Sequence, residues 1–283
     1  MAKGMSAPEV MIAAGASLTI FREAPPLEGA VAAALGAFAC DNADAGAGLI
    51  REAMARLKDE GFGAVLGPMD GDTWGRHRLV IESDGRAPFM MEPQNPAHYV
   101  DAFAQSGLGI VSRYVSAVRP TDAAASGSAA PAGLRLREFD VARAEDELTR
   151  IHMLSLEAFA ANHFYQPISR DDFLASYRPV LKAIDPELVL LAEDEAGELK
   201  AFLFALPNLV EGLRPKSVIL KTYASRVKGG GSMLTNAFHA RAQKRGFVEV
   251  IHALMHESNL SATHSSNTGS HVFRRYALWG GRL

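Results

Sequence analysis

The sequence predicts an α/β protein in two parts, and three observations carry this. A glycine-rich run, Ser225-Arg-Val-Lys-Gly-Gly-Gly-Ser232, separates an apolar segment, Val218-Ile-Leu220, from a helix-like one, Met233 to Lys244. Strand-like alternation and helix-like periodicity succeed one another from Leu134 to Trp279. From Arg119 to Gly133 large apolar residues are scarce and Ala, Ser, Gly and Pro abound, the composition of an interdomain linker. Residues 119–133 therefore divide the chain into 1–118 and 134–283, each of ordinary domain length.

The elements of the second part follow in order. Leu134-Arg-Leu-Arg-Glu-Phe139 alternates as a strand does. Asp140 caps a helix running to about Ala161, with Leu148, Ile151, Leu154, Leu156 and Phe159 near helical spacing. Ser169-Arg-Asp-Asp172 is a capping box opening a second helix toward Ile184. Leu188–Ala192 and Leu199–Leu206 are strands joined at the hairpin signal Glu195-Ala-Gly-Glu198. Val218–Ala224 is a strand, followed by the glycine loop and its helix. Gly246-Phe247 ends that helix, Val248–Met255 is a strand, a short helix follows Asn259, and Val272–Trp279 is the last strand. The order is β-α-α-β-β-β-α-β-α-β.

Composition bounds the function class. The 283 residues are 48% apolar and 22% charged, ordinary for a globular protein. A net charge of −3 and a pI near 6.3 argue against a general nucleic-acid binder. The single cysteine, Cys40, allows no intramolecular disulfide and reads as a small core residue. No secretory leader is visible, and no run approaches the roughly 18 apolar residues of a membrane span. The sequence thus reads as cytoplasmic. Asp70 and Asp72 lack further clustered ligands, so no metal site is expected.

Backbone N–H groups of a glycine loop at a helix N-terminus converge at the positive end of the helix dipole, which suits a phosphate or pyrophosphate. Arg226 and Lys228 add positive charge. The spacing Arg226-x-x-Gly229-x-Gly231 is neither the Walker nor the Rossmann pattern. It resembles the Gln/Arg-x-x-Gly-x-Gly/Ala loop of the GNAT (GCN5-related N-acetyltransferase) superfamily, and the element order over nearly all of 134–283 is similar to that family's. The resemblance implies a mixed, mostly antiparallel twisted sheet flanked by helices, with coenzyme A's pyrophosphate held by Arg226, Val227, Lys228, Gly229, Gly230, Gly231 and Ser232. It also implies that the backbone of Lys221, Thr222 and Tyr223 pairs with pantetheine, and that Asn259 contacts the cofactor arm. Members usually have a seventh strand, for which the sequence after Trp279 leaves little room.

The two halves look like a repeat. Gly61-Phe-Gly-Ala-Val-Leu-Gly-Pro-Met69 parallels Gly246-Phe-Val-Glu-Val-Ile-His-Ala-Leu254, and Ser106–Tyr114 parallels Thr268–Tyr276 without a gap. The helix Leu49–Lys58 precedes the first as Met233–Lys244 precedes the second. The chain thus resembles the tandem-GNAT bacterial acyltransferases, with 1–118 a shortened, degenerate copy. Gly46-x-Gly48 survives there, but Ala43 replaces the basic residue and Asp41 and Asp44 place negative charge in the loop, so that copy is expected to bind no coenzyme A. The turn-rich runs Gly67–Trp74 and Glu92–Pro96 read as an acceptor-side loop or as connections.

The resemblance implies an acyl-coenzyme A-dependent N-acyltransferase, with acetyl-CoA or another acyl-CoA as donor and a primary amine on a small molecule attacking directly. The family's usual base, a Glu five residues before the Asn, is here Leu254. Its usual acid, a Tyr, is Ser266, or Ser265 when counted back from Gly269. Nearby groups offer themselves instead: His256 as base, with His252, Glu257 and His264 close by, and Ser265 or Tyr276 as acid. Tyr114 occupies the same place as Tyr276 in the other half, which favours packing for both. Two other readings stay open: an aminoacyltransferase drawing on charged tRNA, and a non-catalytic coenzyme A sensor. Acceptor identity, acyl length and oligomeric state are not specified by the sequence.

Overall fold

A computed structural model describes residues 7–123, 131–259, 265 and 269–283. In chain order the strands and α-helices are β1 Glu9–Ala13, β2 Ala16–Phe21, β3 Ala32–Cys40, α1 Ala43–Asp59, β4 Ala64–Gly67, β5 Leu79–Ser83, α2 Ala97–Gln105, β6 Gly109–Pro120 and β7 Arg135–Glu138. Then come α3 Ala144–Ala158, α4 Arg170–Tyr177, β8 Val189–Glu193, β9 Leu199–Pro207, β10 Ser217–Ser225, α5 Gly230–Lys244, β11 Glu249–His256 and β12 His271–Arg282. The class is α/β with mostly antiparallel pairing.

The contacts form two compact units. The first comprises Met1–Tyr114, His163–Gln166 and Arg274–Leu283, and the second Val115–Asn162 and Pro167–Phe273. In the first, the strand order is β1-β2-β3-β4-β12, with β5 also on β12 and the first half of β6 following. The pair β3–β4 is parallel and the pair β4–β12 antiparallel, with Trp279 opposite Gly67 and Arg282 opposite Ala64. Helix α1 starts at Asn42, whose side chain accepts from the Ala45 N–H. It buries Leu49, Ile50, Ala53 and Leu57 against Leu18, Ile20, Leu35, Phe103 and Trp279. Cys40 belongs to this core, and burial pushes its thiol up.

In the second unit the order is β7-β8-β9-β10-β11 followed by the second half of β6. Neighbours from β7 to β10 are antiparallel, and β10–β11 is parallel. Helix α5 lays Leu234, Phe238 and Ala242 on Leu190, Leu203, Val218 and Val250. Arg137 on β7 bridges Glu147 of α3 at 2.9 Å and Glu193 of β8 at 2.7 Å, and Arg150 reaches Glu193 at 2.7 Å. These ion pairs tie three elements, and the Arg137 guanidinium, with Arg150, holds the Glu193 carboxyl at about 2.

The anticipated elements of 134–259 and the last strand appear, with shifts that have physical causes. The first helix opens as a 3-10 turn at Val141–Arg143, with the Asp140 side chain accepting from the Ala142 N–H. Ser169 caps α4 through the Asp172 N–H at 3.1 Å. Pro179 then turns the expected run to Ile184 into a 3-10 segment. The short helix after Asn259 falls on 260–264 and 266–268, outside the described residues.

Compactness divides the chain differently from the linker-based 1–118 and 134–283. From Arg274 onward β12 pairs within the first unit, while residues 115–120 of β6 lie in the second. The later parts of β6 and β12, the strands in which the equivalent segments end at Tyr114 and Tyr276, are thus exchanged: 115–120 lie in the second unit and 274–282 in the first. The start of the expected linker is not linker either. Arg119 is buried in β6, and Thr121 donates from N to Val248 O at 3.0 Å and from Oγ1 to Phe247 O at 2.7 Å.

Candidate active site

The glycine loop is ordered by one hydroxyl. Ser225 Oγ accepts from the Val227 N–H at 3.1 Å and donates to Val227 O at 2.8 Å. Gly229 precedes α5 with φ +85°, which glycine adopts without strain. A Cβ on Gly230 would lie 2.3 Å from Ser225 Oγ, and one on Gly231 3.2 Å from the Tyr223 ring. The first helical bond is Met233 N–H to Gly229 O, so the Gly231 and Ser232 N–H groups lie outside the helical ladder. No acidic residue stands in the first turn. The half-buried Val227 and Ser232 complete the loop. Lys228 is exposed and makes no ion pair among the described residues. Arg226 is committed elsewhere: its guanidinium meets Glu157 at 2.7 Å and Glu198 at 3.0 Å, and its N–H donates to Lys200 O. It braces the loop against α3 and the β8–β9 turn.

Beside this loop two strands part. β10 and β11 pair in register from Ser217↔Glu249 to Leu220↔His252 and no further. β10 continues on its other side with β9, from Thr222↔Phe204 to Ser225↔Ala201, after a bulge at Lys221. The exposed Lys221 ammonium sits 4.8 Å from the Tyr177 ring centroid. Tyr223 is half-buried, and desolvation raises its phenol. β11 diverges because Leu254 adopts φ +54° and its N–H turns to Ser116 Oγ on β6 at 3.0 Å. The edge of β10 facing the gap, Thr222 to Ser225, has no register partner on β11.

The positive φ at Leu254 also interrupts the strict alternation that would put His252, Leu254 and His256 on one face. His252 is buried, with Nδ1 2.7 Å from Ser265 Oγ and Nε2 3.3 Å from His239 Nε2 on α5. At His256, Nδ1 accepts from the Ser258 N–H at 3.2 Å, which leaves the proton of the neutral ring on Nε2, and Ser258 Oγ lies 2.8 Å from the same Nδ1. The half-buried Asn259 follows, its N–H donating to His256 O. His264 and Ser266 fall outside the described residues.

Tyr276 does not join this group. It belongs to the first unit, is fully buried, and donates its hydroxyl to Glu92 Oε1, which also meets Arg274. A buried acceptor at Glu92 fixes Tyr276 as a core residue. The turn-rich runs are likewise internal to that unit: Trp74 Nε1–H donates to Gln166 O, and Asp72 accepts from the Trp74 N–H. Sequence reasoning did not find Ser258, Ser116 or His239, nor the bracing role of Ser225 within the loop it singled out. Their roles arise from strand divergence, which leaves no periodic trace.

No protein-family model matches the sequence, and no curated protein matches it. Solved structures do. A GCN5-related N-acetyltransferase from Sphaerobacter thermophilus is 15% identical with a TM-score of 0.59, over 95% of this chain and 76% of the other. A tandem GNAT protein from the clavulanic acid biosynthesis pathway is 13% identical with a TM-score of 0.54, over 95% and 79%. A GCN5-related N-acetyltransferase from Anabaena variabilis is 9% identical with a TM-score of 0.54, over 93% and 58%. The chain has the GNAT fold.

In GNAT terms the first unit repeats the second unit's central motif. β3, α1 and β4 match β10, α5 and β11, and β3–β4 pairing also ends early, after Ala34↔Leu66. Here the gap is filled by the chain itself. Asp70 Oδ1 accepts from the Ala37 N–H at 2.6 Å, and the Met69 N–H donates to Leu35 O. Gly36 permits this: a Cβ there would lie 2.4 Å from Asp70 Oδ1. The N-terminus of α1 is occupied by Asn42 and carries Asp44 in its first turn.

Proposed function

We propose that the protein is an acyl-coenzyme A-dependent N-acyltransferase whose second unit takes the donor, acetyl-CoA or another acyl-CoA, and whose acceptor is a primary amine on a small molecule. The observation that carries this is the parting of β10 and β11 after Leu220↔His252, beside a helix start free of acid and of side-chain capping. The gap fits a chain with two amides, and the helix start fits a pyrophosphate. Bound acyl-CoA supplies an electrophilic thioester carbonyl. Thr222 to Ser225 hold the amide arm through their backbone. The Gly231 and Ser232 N–H groups, with Lys228, hold the pyrophosphate, and Asn259 lies where the arm passes. Arg226 acts by bracing the loop.

His256 is the base. Its Nδ1 is reached through the Ser258 hydroxyl, which passes the amine's proton on as it gives up its own. Ser265, hydrogen-bonded to His252, protonates the coenzyme A thiolate as the C–S bond breaks and the amide forms, and is itself reprotonated through His252. Much of the barrier reduction is positioning. The first unit binds no donor, since Asp70 and Asn42 occupy the equivalent places. A second reading, a coenzyme A-binding protein without turnover, is favoured by Leu254 at the usual base position and by Tyr276 lying in the first unit.

Calorimetric titration with coenzyme A tests the assignment. Wild type should bind one equivalent per chain, and Gly229→Asp and Gly231→Asp should abolish binding. Unchanged affinity in both variants overturns it. Release of free thiol from acetyl-CoA across a panel of primary amines then separates the enzyme from the non-catalytic reading.

A further inference from the structure

Between β9 and β10 the chain makes a rigid turn that holds aliphatic side chains out to water. Leu209 is 44% exposed, Val210 60% and Leu213 100%. The turn is not loose. Glu211 Oε2 accepts from the Lys216 and Ser217 N–H groups at 2.7 and 3.0 Å, and its Oε1 accepts from Ser217 Oγ and Asn208 Nδ2. Asn208, itself buried, donates from N to Ser217 O, and Gly212 N–H to Leu209 O closes the tip. The turn's only carboxylate is therefore spent on its own backbone. Its two cations, Arg214 and Lys216, are exposed and make no ion pair among the described residues. Val248, 55% exposed, adjoins through its N–H to Lys216 O at 2.8 Å.

A fixed, exposed tip of three or four aliphatic side chains beside two uncommitted cations has a definite physical partner. Three aliphatic side chains fall far short of the roughly 800 Å² per partner of a stable protein interface, and the tip has none of the aromatic anchors such interfaces favour. Shallow insertion of aliphatic groups added to attraction of cations by anionic headgroups needs neither large area nor shape matching. We propose that the turn Leu209–Lys216, with Val248, docks the protein reversibly on an anionic lipid bilayer, the aliphatic tip entering the headgroup region and Arg214 and Lys216 meeting the lipid phosphates.

Co-sedimentation with phosphatidylcholine vesicles, with and without phosphatidylglycerol, tests this. The full chain should partition onto the anionic vesicles and not the neutral ones, less strongly as salt is added. The Val210→Asp/Leu213→Asp variant should lose at least ten-fold in partitioning. The Arg214→Glu/Lys216→Glu variant should lose about twenty-fold or more, at about five-fold for each cation removed. Because all four side chains are exposed, the melting midpoint should not change, and either variant alone suffices if the other fails to fold. No binding of wild type to anionic vesicles overturns the proposal, as does undiminished binding by both variants. A wild-type dimer in light scattering that Leu213→Asp dissociates also overturns it, by assigning the tip to a second copy.

Discussion

A methyl group on Gly230 would lie 2.3 Å from the Ser225 hydroxyl that pins both polar groups of Val227. Gly230→Ala should therefore displace Ser225 and open the loop, lowering coenzyme A affinity by about ten-fold or more, the scale of one or two lost hydrogen bonds. Calorimetry reads this directly, and Ser225→Ala should reproduce part of it. The chemistry is probed separately. His256→Ala and Ser258→Ala should each slow acyl transfer by about ten- to a thousand-fold while coenzyme A affinity stays unchanged. Tyr276→Phe should leave the rate intact once the folded fraction is accounted for, because its hydroxyl is spent on buried Glu92. Near-normal rates in both His256→Ala and Ser258→Ala would leave positioning and water to do the work.

At the scale of elements, the ion pairs joining β7, α3 and β8 make stability depend on acid. Glu193 is held at about 2, below the ordinary 4.5, by Arg137 and then Arg150. A depressed carboxyl contributes stability that is present above its unfolded value and lost as pH falls from about 4.5 toward 2. Glu193→Gln should lower the melting temperature near neutral pH, and the gap to wild type should narrow as pH falls below about 4.5 and close only near pH 2. In the first unit, Asp70→Ala removes the acceptor of the Ala37 N–H and should cost about 1–2 kcal/mol in chemical denaturation, without creating a second coenzyme A site. Strands, helices and the glycine loop were legible because periodicity, caps and turn residues are local. Ser169 and Asp140 cap where their residue types say they should. The bulge at Lys221 and the positive φ at Leu254 were not legible. A single residue of positive φ in an apolar strand is chosen by what lies across the sheet, here Ser116, far away in sequence. That one residue undid the expected shared face of His252 and His256.

At the scale of the whole chain, the exchange of the two equivalent strands decides what can be cut. Ending the chain at Phe273 removes Tyr276, Ala277, Leu278 and Trp279 from the first unit's core and exposes the edge of β4. Hydrogen exchange should then show β4 and α1 unprotected while β8 to β10 keep their protection. The same result in the intact chain would contradict the exchange. The expected linker rested on composition, and composition reports where the chain is polar, not which unit a strand joins.

The same exchange bears on how the protein is made. Domains are generally expected to fold in the order they leave the ribosome. Here the strand that closes the first unit is translated only after everything up to Phe273, a delay of about ten to thirty seconds at ordinary elongation rates. Until then Ala64–Gly67 waits with an open edge, which is the kind of surface that recruits the wrong neighbour. The half of the molecule made first is thus the half completed last, and slowing translation within the second half should raise the yield of aggregated nascent chain.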